Sequence, residues 1–242
     1  MTTFFVSDVH LSESREKAID AFLSFLDSEI RGANALYILG DLFDLWLGDD
    51  DTRFPHLFVL DALRRVTARG ISVGVLHGNH DFLLGAGFEK RTGCRLLPDP
   101  YFVNLDGKNV LLSHGDILCT DDVAYQEYRR RVHSPEQQDI FLSLPMKQRL
   151  MKAAFIQGAS QEAVQGKSAH IMDVNKEAVE EMMLHHNVHY LIHGHTHRPG
   201  VHGVSLEGRP GTRIVLGDWY EQGKDNVLIW KKDSFRLVSV FE

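Results

Sequence analysis

A chain of 242 residues, 43% hydrophobic and 24% charged, carries enough apolar material for one large or two small domains with a real core. Its formal net charge of −7, with Arg129-Arg130-Arg131 as the one notable basic run, argues against a broad electrostatic grip on nucleic acid. Two cysteines, Cys94 and Cys119, offer no disulfide framework, and neither a secretory leader nor a membrane-length apolar run is visible, so the expectation is a cytoplasmic protein.

The first apolar run, Phe4 to Ser7, reads as a strand and is followed by Asp8-Val9-His10. From Ser14 to Ile30, Ile19, Phe22, Leu23, Leu26 and Ile30 recur at helical spacing, with Gly32 as the stop. Ala35 to Leu39 is a second strand, closed by Gly40-Asp41. Pro55 to Gly70 predicts a helix with Leu60, Leu63 and Val66 on one face. Ile71 to Leu76 then runs into His77-Gly78-Asn79-His80-Asp81, and Asn109 to Ser113 into His114-Gly115-Asp116.

From Asp121 to about His170 no strand pattern occurs. Asp139 to Phe155 is apolar and basic, and Pro145 divides it into two helices. The segment 121–170 is expected to form a helical insertion, a lid over a crevice within a single domain spanning 1–242. Asp173 to His186 predicts a core helix leading to the strand Val188 to Ile192. Strands at Arg213 to Leu216, Asn226 to Trp230 and Phe235 to Phe241 end the chain, with turns at 207–211 and 222–224.

Five times an apolar strand ends and a potential metal ligand follows: Asp8 and His10, Asp41, Asn79, His114, then His195 and His197. In open α/β sheets, ligands gather beyond the carboxyl ends of strands, so these five segments should converge on one crevice. Alternate residues of an extended chain share a side, which suits His195 and His197 to a common metal. His193 has the same parity but lies a step inside the strand, and it reads as a core residue or a support for a ligand. His77 reads likewise; His56, His133, His170, His185, His186, His189 and His202 read as surface or packing positions. Asp44 and Asp81 are candidate acceptors that fix the tautomers of ligating histidines. Asp49-Asp50-Asp51 reads as a solvated loop.

The ordered set Asp8-x-His10, Gly40-Asp41-x-x-Asp44, Gly78-Asn79-His80-Asp81, His114 and Gly194-His195-Thr196-His197 resembles the calcineurin-like metallophosphoesterases. The resemblance implies an α/β fold of two packed mixed β-sheets flanked by helices. It also implies two divalent ions, Mn2+ by preference: one held by Asp8, His10, Asp41 and His197, the other by Asp41, Asn79, His114 and His195, with Asp41 shared. Two such ions activate water and neutralise phosphate oxygens during in-line displacement.

A narrower set comprises Ala35 to Phe43, Trp46-x-Gly48-Asp49-Asp50, His77 to Gly85, His114 to Asp122, Ile171 to Asn175 and Leu191 to Pro199. It resembles the UDP-2,3-diacylglucosamine diphosphatases of lipid A biosynthesis. That resemblance implies attack on the α-phosphorus of a nucleotide-sugar lipid, releasing UMP and 2,3-diacylglucosamine 1-phosphate, at the cytoplasmic side of the inner membrane to which the protein is peripherally attached. Substrate contacts would fall to Asn79, His80, Asp122, Ser160, Lys167 and His195, with His80, Asp41 and His195 as catalytic residues. The family carries arginine where this chain has His80, and a polar residue where it has Val164. His80 instead fits the general metallophosphoesterase pattern, so another phosphodiesterase or nucleotide pyrophosphatase remains open, as does a non-catalytic protein-binding scaffold. No nucleic acid and no obligate protein partner is expected.

Overall fold

The computed structural model describes residues 1–165, 171, 173–232 and 234–241. The chain begins with β1 (Thr2–Val6), α1 (Glu16–Ser24) with a π-helical turn at Phe25–Glu29, β2 (Ala35–Ile38), α2 (His56–Ala68) and β3 (Ser72–Leu76). Then come α3 (Ala86–Thr92), β4 (Arg95–Leu97), β5 (Tyr101–Leu105) and β6 (Lys108–Leu112). Three helices follow, α4 (Val123–Val132), α5 (Pro135–Leu142) and α6 (Met146–Gln165), and the chain continues with α7 (Lys176–His185) and β7 (Tyr190–His193). It closes with β8 (Gly200–Leu206), β9 (Arg209–Val215), β10 (Val227–Lys231) and β11 (Ser234–Val238).

The strands form two mixed sheets flanked by helices, in the orders β11-β10-β1-β2-β3-β4 and β5-β6-β7-β9-β8. In the first, β1, β2, β3 and β4 run parallel; in the second, β6, β7 and β9 do. Parallel neighbours bring their carboxyl ends to one edge of a sheet, and loops leaving β1, β2, β3, β6 and β7 therefore share a rim.

Strand alternation assigns each apolar residue to a layer. Phe5 turns inward with Leu39, Leu76, Val110, Leu112, Ile192 and Ile214, filling the space between the sheets. Phe4 and Val6 turn outward to meet Ile19 and Phe22 of α1 and Val59 and Leu63 of α2. On the far side, Leu111 and Leu191 pack against Val179 and Met183 of α7. The continuous apolar runs Phe4 to Val6 and Leu191 to Ile192 are what strands covered on both faces require.

Several expectations need correction. Arg209, Pro210 and Gly211 belong to β9, leaving only Glu207 and Gly208 as the turn of the β8–β9 hairpin. The helix expected from Ser14 begins at Glu16 and changes pitch at Phe25. Elements α3, β4, β5 and β8 were not expected at all.

The run Asp49-Asp50-Asp51 is a loop with Asp49 and Asp50 exposed, as expected, but Asp51 is buried and each carboxylate is engaged. Asp49 accepts the backbone N–H groups of Gly85 and Gly87 at the start of α3, at 3.1 and 2.7 Å. Asp50 takes the Arg149 guanidinium at 2.6 Å, and buried Asp51 takes Arg53 at 2.6 Å. Arg149 is itself buried, and it also donates to the carbonyls of Leu47, Leu142 and Leu144. It fastens α6 to the core and is not a surface cation.

Phe22 is fully buried, with ring centroids 5.6 Å from Trp219 and 6.3 Å from Phe25, whereas Phe58 is 62% exposed. Phe22→Ala should cost about 3–5 kcal/mol in urea unfolding, and Phe58→Ala less than ~0.5 kcal/mol. Equal losses would mean that the helix layer of the core is wrongly drawn.

Candidate metal centre

Residues from five strand ends meet at the rim. Asp8 and His10 follow β1, Asp41 follows β2, and Asn79 and His80 follow β3. His114 follows β6, and His195 and His197 follow β7. Ten described non-glycine residues have positive φ, and Asp8, His10, Asp41, His195 and His197 are five of them, at φ of 53°, 51°, 53°, 67° and 53°. That left-handed region is costly for side-chain-bearing residues and persists where surrounding structure enforces it. Its effect is to swing the chain sharply after β1, β2 and β7, so that the following side chains face the crevice.

Two glycines make the convergence possible. A methyl group at Gly78 would overlap the Asp41 carboxylate, and one at Gly194 would overlap Ser7 Oγ and Asp8 Oδ2. Close backbone approach of this kind is open only to glycine.

The donor atoms fall into two groups around a shared carboxylate. Asp41 Oδ2 lies 3.8 Å from His10 Nε2 on one side and 3.5 Å from His114 Nε2 on the other. On the first side, His197 Nε2 is 3.4 Å from both His10 Nε2 and Asp8 Oδ1. On the second, Asn79 Oδ1 stands 3.0 Å from His114 Nε2 and 2.9 Å from His195 Nδ1. The outer oxygens are already engaged by backbone: Asp41 Oδ1 accepts from His80 N–H at 2.7 Å, and Asp8 Oδ2 from His195 N–H at 2.9 Å. Each aspartate thus presents one oxygen to the crevice. Asp8 Oδ1 and His10 Nδ1 are buried with no hydrogen-bond partner among the described residues. Orphaned polar atoms and facing imidazole nitrogens are costly unless a cation sits among them, so this donor set of carboxylate, amide and imidazole fits divalent metal.

The electrostatics agree. Burial pushes the Asp41 carboxyl up to about 6, against the pull of His114 and His80. Burial works against charge on His114, yet Asp41, Asp8 and Asp116 outweigh it and push the imidazole up to about 9. For His197, burial is again overcome, by Asp218 and Asp8, giving about 10. Burial and the charge of His114 push His195 down to about 4. Without metal, protons on His114 and His197 therefore supply the positive charge that the buried carboxylates need.

The supporting residues differ partly from expectation. Asp44 does approach His10 and His80, at 3.6 and 3.7 Å, and its carbonyl accepts from His80 Nδ1 at 2.8 Å. Asp81 makes no hydrogen bond to a histidine among the described residues: its carboxylate accepts the N–H groups of Asp41, Leu42, Phe43 and Gly78 and so shapes the loop after β2. His193 is fully buried, with Nδ1 2.9 Å from the Gly194 carbonyl and Nε2 3.2 Å from Arg213, and is a core residue. His56 packs against the rings of Phe43 and Trp46.

Asp122 caps α4, accepting from Tyr125 N–H at 3.1 Å. Ser160 and Val164 lie on α6 with side chains outside the described set, and Lys167 and His170 lie outside the described residues. Two groups escaped the sequence reading. Asp218 lies 3.2 Å from His197 Nδ1 and follows Gly217 at the end of β9, the same Gly-Asp signature as Gly40-Asp41. Arg15 donates to the carbonyls of Val9, His10 and Trp219 at 2.7–2.9 Å, pinning the first ligand loop; nothing in its sequence context marks it.

The family model for calcineurin-like phosphoesterases matches residues 1–199. A UDP-2,3-diacylglucosamine hydrolase of Aeromonas salmonicida is 47% identical over 237 residues, covering 98% of this chain and 92% of its own. Its counterpart from Serratia proteamaculans is 48% identical over 224 residues, covering 92% and 93%. Among solved structures, an archaeal phosphodiesterase aligns with a TM-score of 0.50 at 15% identity over 99% of both chains, a likeness of fold alone.

Asp81→Asn would turn an amide N–H2 toward a cluster of backbone N–H donors. A loss of about 1.5–3 kcal/mol in urea unfolding is expected, together with weakened metal uptake by calorimetry. Unchanged uptake would show that the loop after β2 holds its shape without this carboxylate.

Proposed function

The chain belongs to the calcineurin-like phosphoesterase family, and from that premise we propose that it hydrolyses the diphosphate of UDP-2,3-diacylglucosamine in lipid A biosynthesis. The products are UMP and 2,3-diacylglucosamine 1-phosphate. The observation that carries the substrate is near-full-length identity of 47% to a hydrolase of that name. The dinuclear donor set supports the chemistry.

Asp8, His10, Asp41 and His197 would hold one ion and Asp41, Asn79, His114 and His195 the other; this mixture of nitrogen and oxygen donors suits Mn, Fe or Zn, and the family resemblance favours Mn2+. Two divalent ions held there would supply positive charge for phosphate oxygens and lower the pKa of a bound water. The chain's own part is to hold geometry and charge. Backbone N–H groups occupy the rear oxygens of Asp8 and Asp41 and fix the forward ones. His80 directs Nδ1 at the Asp44 carbonyl, which leaves Nε2 for the substrate. Burial disfavours its charge, but Asp41, Asp44 and Asp81 raise its pKa above the ordinary value, making it a donor to a phosphate oxygen. A sugar phosphate, with a second pKa near ~6, leaves without much acid help, so positioning phosphate is the larger role of His80.

Residues 121–170 serve as the lid. The Tyr125 ring of α4 lies 5.9 Å from the His195 ring, so this helix adjoins the metal centre. Val123, Ile140, Met151 and Phe155 are at least half exposed, and Lys147 and Lys152 are exposed among them. Such a surface suits acyl chains and anionic headgroups, and it supports peripheral attachment to the cytoplasmic face of the inner membrane, with substrate contacts to Asp122, Ser160 and Lys167. No described helix is long and apolar enough to cross a membrane.

His80 also favours a second reading, a phosphodiesterase or nucleotide pyrophosphatase acting on simpler esters. With Mn2+, release of UMP from UDP-2,3-diacylglucosamine far above release from UDP-glucose supports the first reading. Activity confined to bis-p-nitrophenyl phosphate supports the second. Asp41→Ala should abolish either activity, by at least about a thousandfold, and retained turnover would reject the site.

Metal uptake should also release protons. At pH 8 His114 and His197 hold theirs while Asp41 and His195 do not. A metal must displace those protons, so apparent affinity climbs as pH rises toward about 9–10 and then levels. Calorimetry in buffers of differing ionisation heat reads this directly; equal heats would contradict it.

A further inference from the structure

The metal centre has two flanks of opposite character. The His195 flank faces α4, whose Tyr125 ring lies 5.9 Å from the His195 ring. Beyond His197 lies a cavity of about 410 Å³, lined by His197, Pro199, Asp218, Tyr220, Gln222 and Lys224. A volume of that order is ordinary for a small-molecule site.

Its wall is a loop that braces itself. Gly217 N–H donates to the Asp225 carbonyl at 3.0 Å, Gly223 N–H to the Tyr220 carbonyl at 2.6 Å, and Tyr220 N–H to Asp218 Oδ1 at 3.0 Å. Asn226 Nδ2 donates to the Asp218 carbonyl. A methyl group at Gly217 would overlap the Lys224 carbonyl, and one at Gly223 the Asp218 carbonyl, so the loop curls more tightly than side chains would permit. This concavity is built before any ligand arrives.

The chemistry inside it is specific. The Arg15 guanidinium lies 4.0 Å from the Tyr220 ring centroid, yet the residue stays 46% exposed. That ring stands 6.2 Å from the His197 ring, roughly the reach of a ribose away from the phosphate-binding centre. The side chains of Gln222 and Lys224 have no hydrogen-bond partner among the described residues. A flat π-surface, an uncommitted amide and an uncommitted cation, set beside a metal centre in a cavity with no residue of α4, α5 or α6 in its lining, match a nucleoside and not an acyl chain.

We propose that this cavity seats the pyrimidine nucleoside half of the substrate, with the base on Tyr220, the Gln222 amide on its imide edge and Lys224 at the rim. The proposal rests on the hydrolase reading above and fixes the direction in which the substrate lies: nucleotide beyond His197, lipid beneath the lid. A carboxamide offers one donor and one acceptor, which complements the O4 acceptor and N3–H donor of uracil.

The test is titration of UMP, CMP and ribose 5-phosphate into the metal-loaded full chain. UMP should bind at least ~fivefold more tightly than ribose 5-phosphate, because a base stacked on an aromatic ring adds that much or more. Tyr220→Ala should erase this difference and Tyr220→Phe should keep it, which separates stacking from loss of structure. Gln222→Glu removes the donor to O4, so the ratio of UMP to CMP affinity should fall severalfold. Equal binding of UMP and ribose 5-phosphate by the wild-type chain, or ratios unmoved by Tyr220→Ala and Gln222→Glu, would overturn the assignment. Release of UMP from UDP-2,3-diacylglucosamine is scored separately, so a chain that makes UMP while the variants keep their affinities loses only the cavity, and one that makes none loses the hydrolase reading.

Discussion

Two buried carboxylates dictate the design of this molecule. Asp8 and Asp41 are at most 1% exposed, and no lysine or arginine forms an ion pair with either among the described residues. An unpaired carboxylate in such surroundings is strongly disfavoured, so positive charge must come from elsewhere. Imidazoles provide it when protonated, and divalent ions provide it better. The pull of Asp8 and Asp41 on His114, that of Asp8 on His197, and the raised pKa of Asp41 itself are faces of the same deficit.

Holding that deficit in place requires a rigid frame. The parallel strands β1, β2 and β3 of one sheet and β6 and β7 of the other deliver their ends to a common rim. Left-handed residues after β1, β2 and β7 then aim the side chains. Fastening is peripheral: Arg15 clamps the loop after β1, and Asp81 gathers the N–H groups of the loop after β2. The helices α4 and α6 are secured separately, by Arg149 on α6 and by Asp116, which takes both Arg129 and the Tyr125 hydroxyl of α4. The aspartate–histidine cluster and the helices α4 and α6 thus rest on different supports.

Much of this was legible in sequence because the central strands are covered on both faces and read as unbroken apolar runs, while the residues proposed as ligands sit two to four positions beyond. The parts that were not legible share a physical cause. Helix α3 contains a glycine and buries only Phe88 and Thr92, and β8 carries two glycines at a sheet edge, so neither shows a strong period. Asp81 follows the ligand pair so closely that a role toward histidine was the natural reading, whereas its partners are backbone groups 38 to 40 residues earlier as well as Gly78. Asp218 obeyed the strand-end rule, but its strand lay outside the recognised motif set. The partner of Asp50 lies 99 residues away, beyond any local pattern.

That last run has a further consequence. Three adjacent like charges would repel in water, yet Asp49, Asp50 and Asp51 each face a different element: the start of α3, the root of α6 and the approach to α2. Surface connections generally accept extra residues at little thermodynamic penalty. Here a single insertion would rotate every carboxylate onto its neighbour's counterpart and undo three attachments together. For this stretch, the number of residues is itself a structural specification.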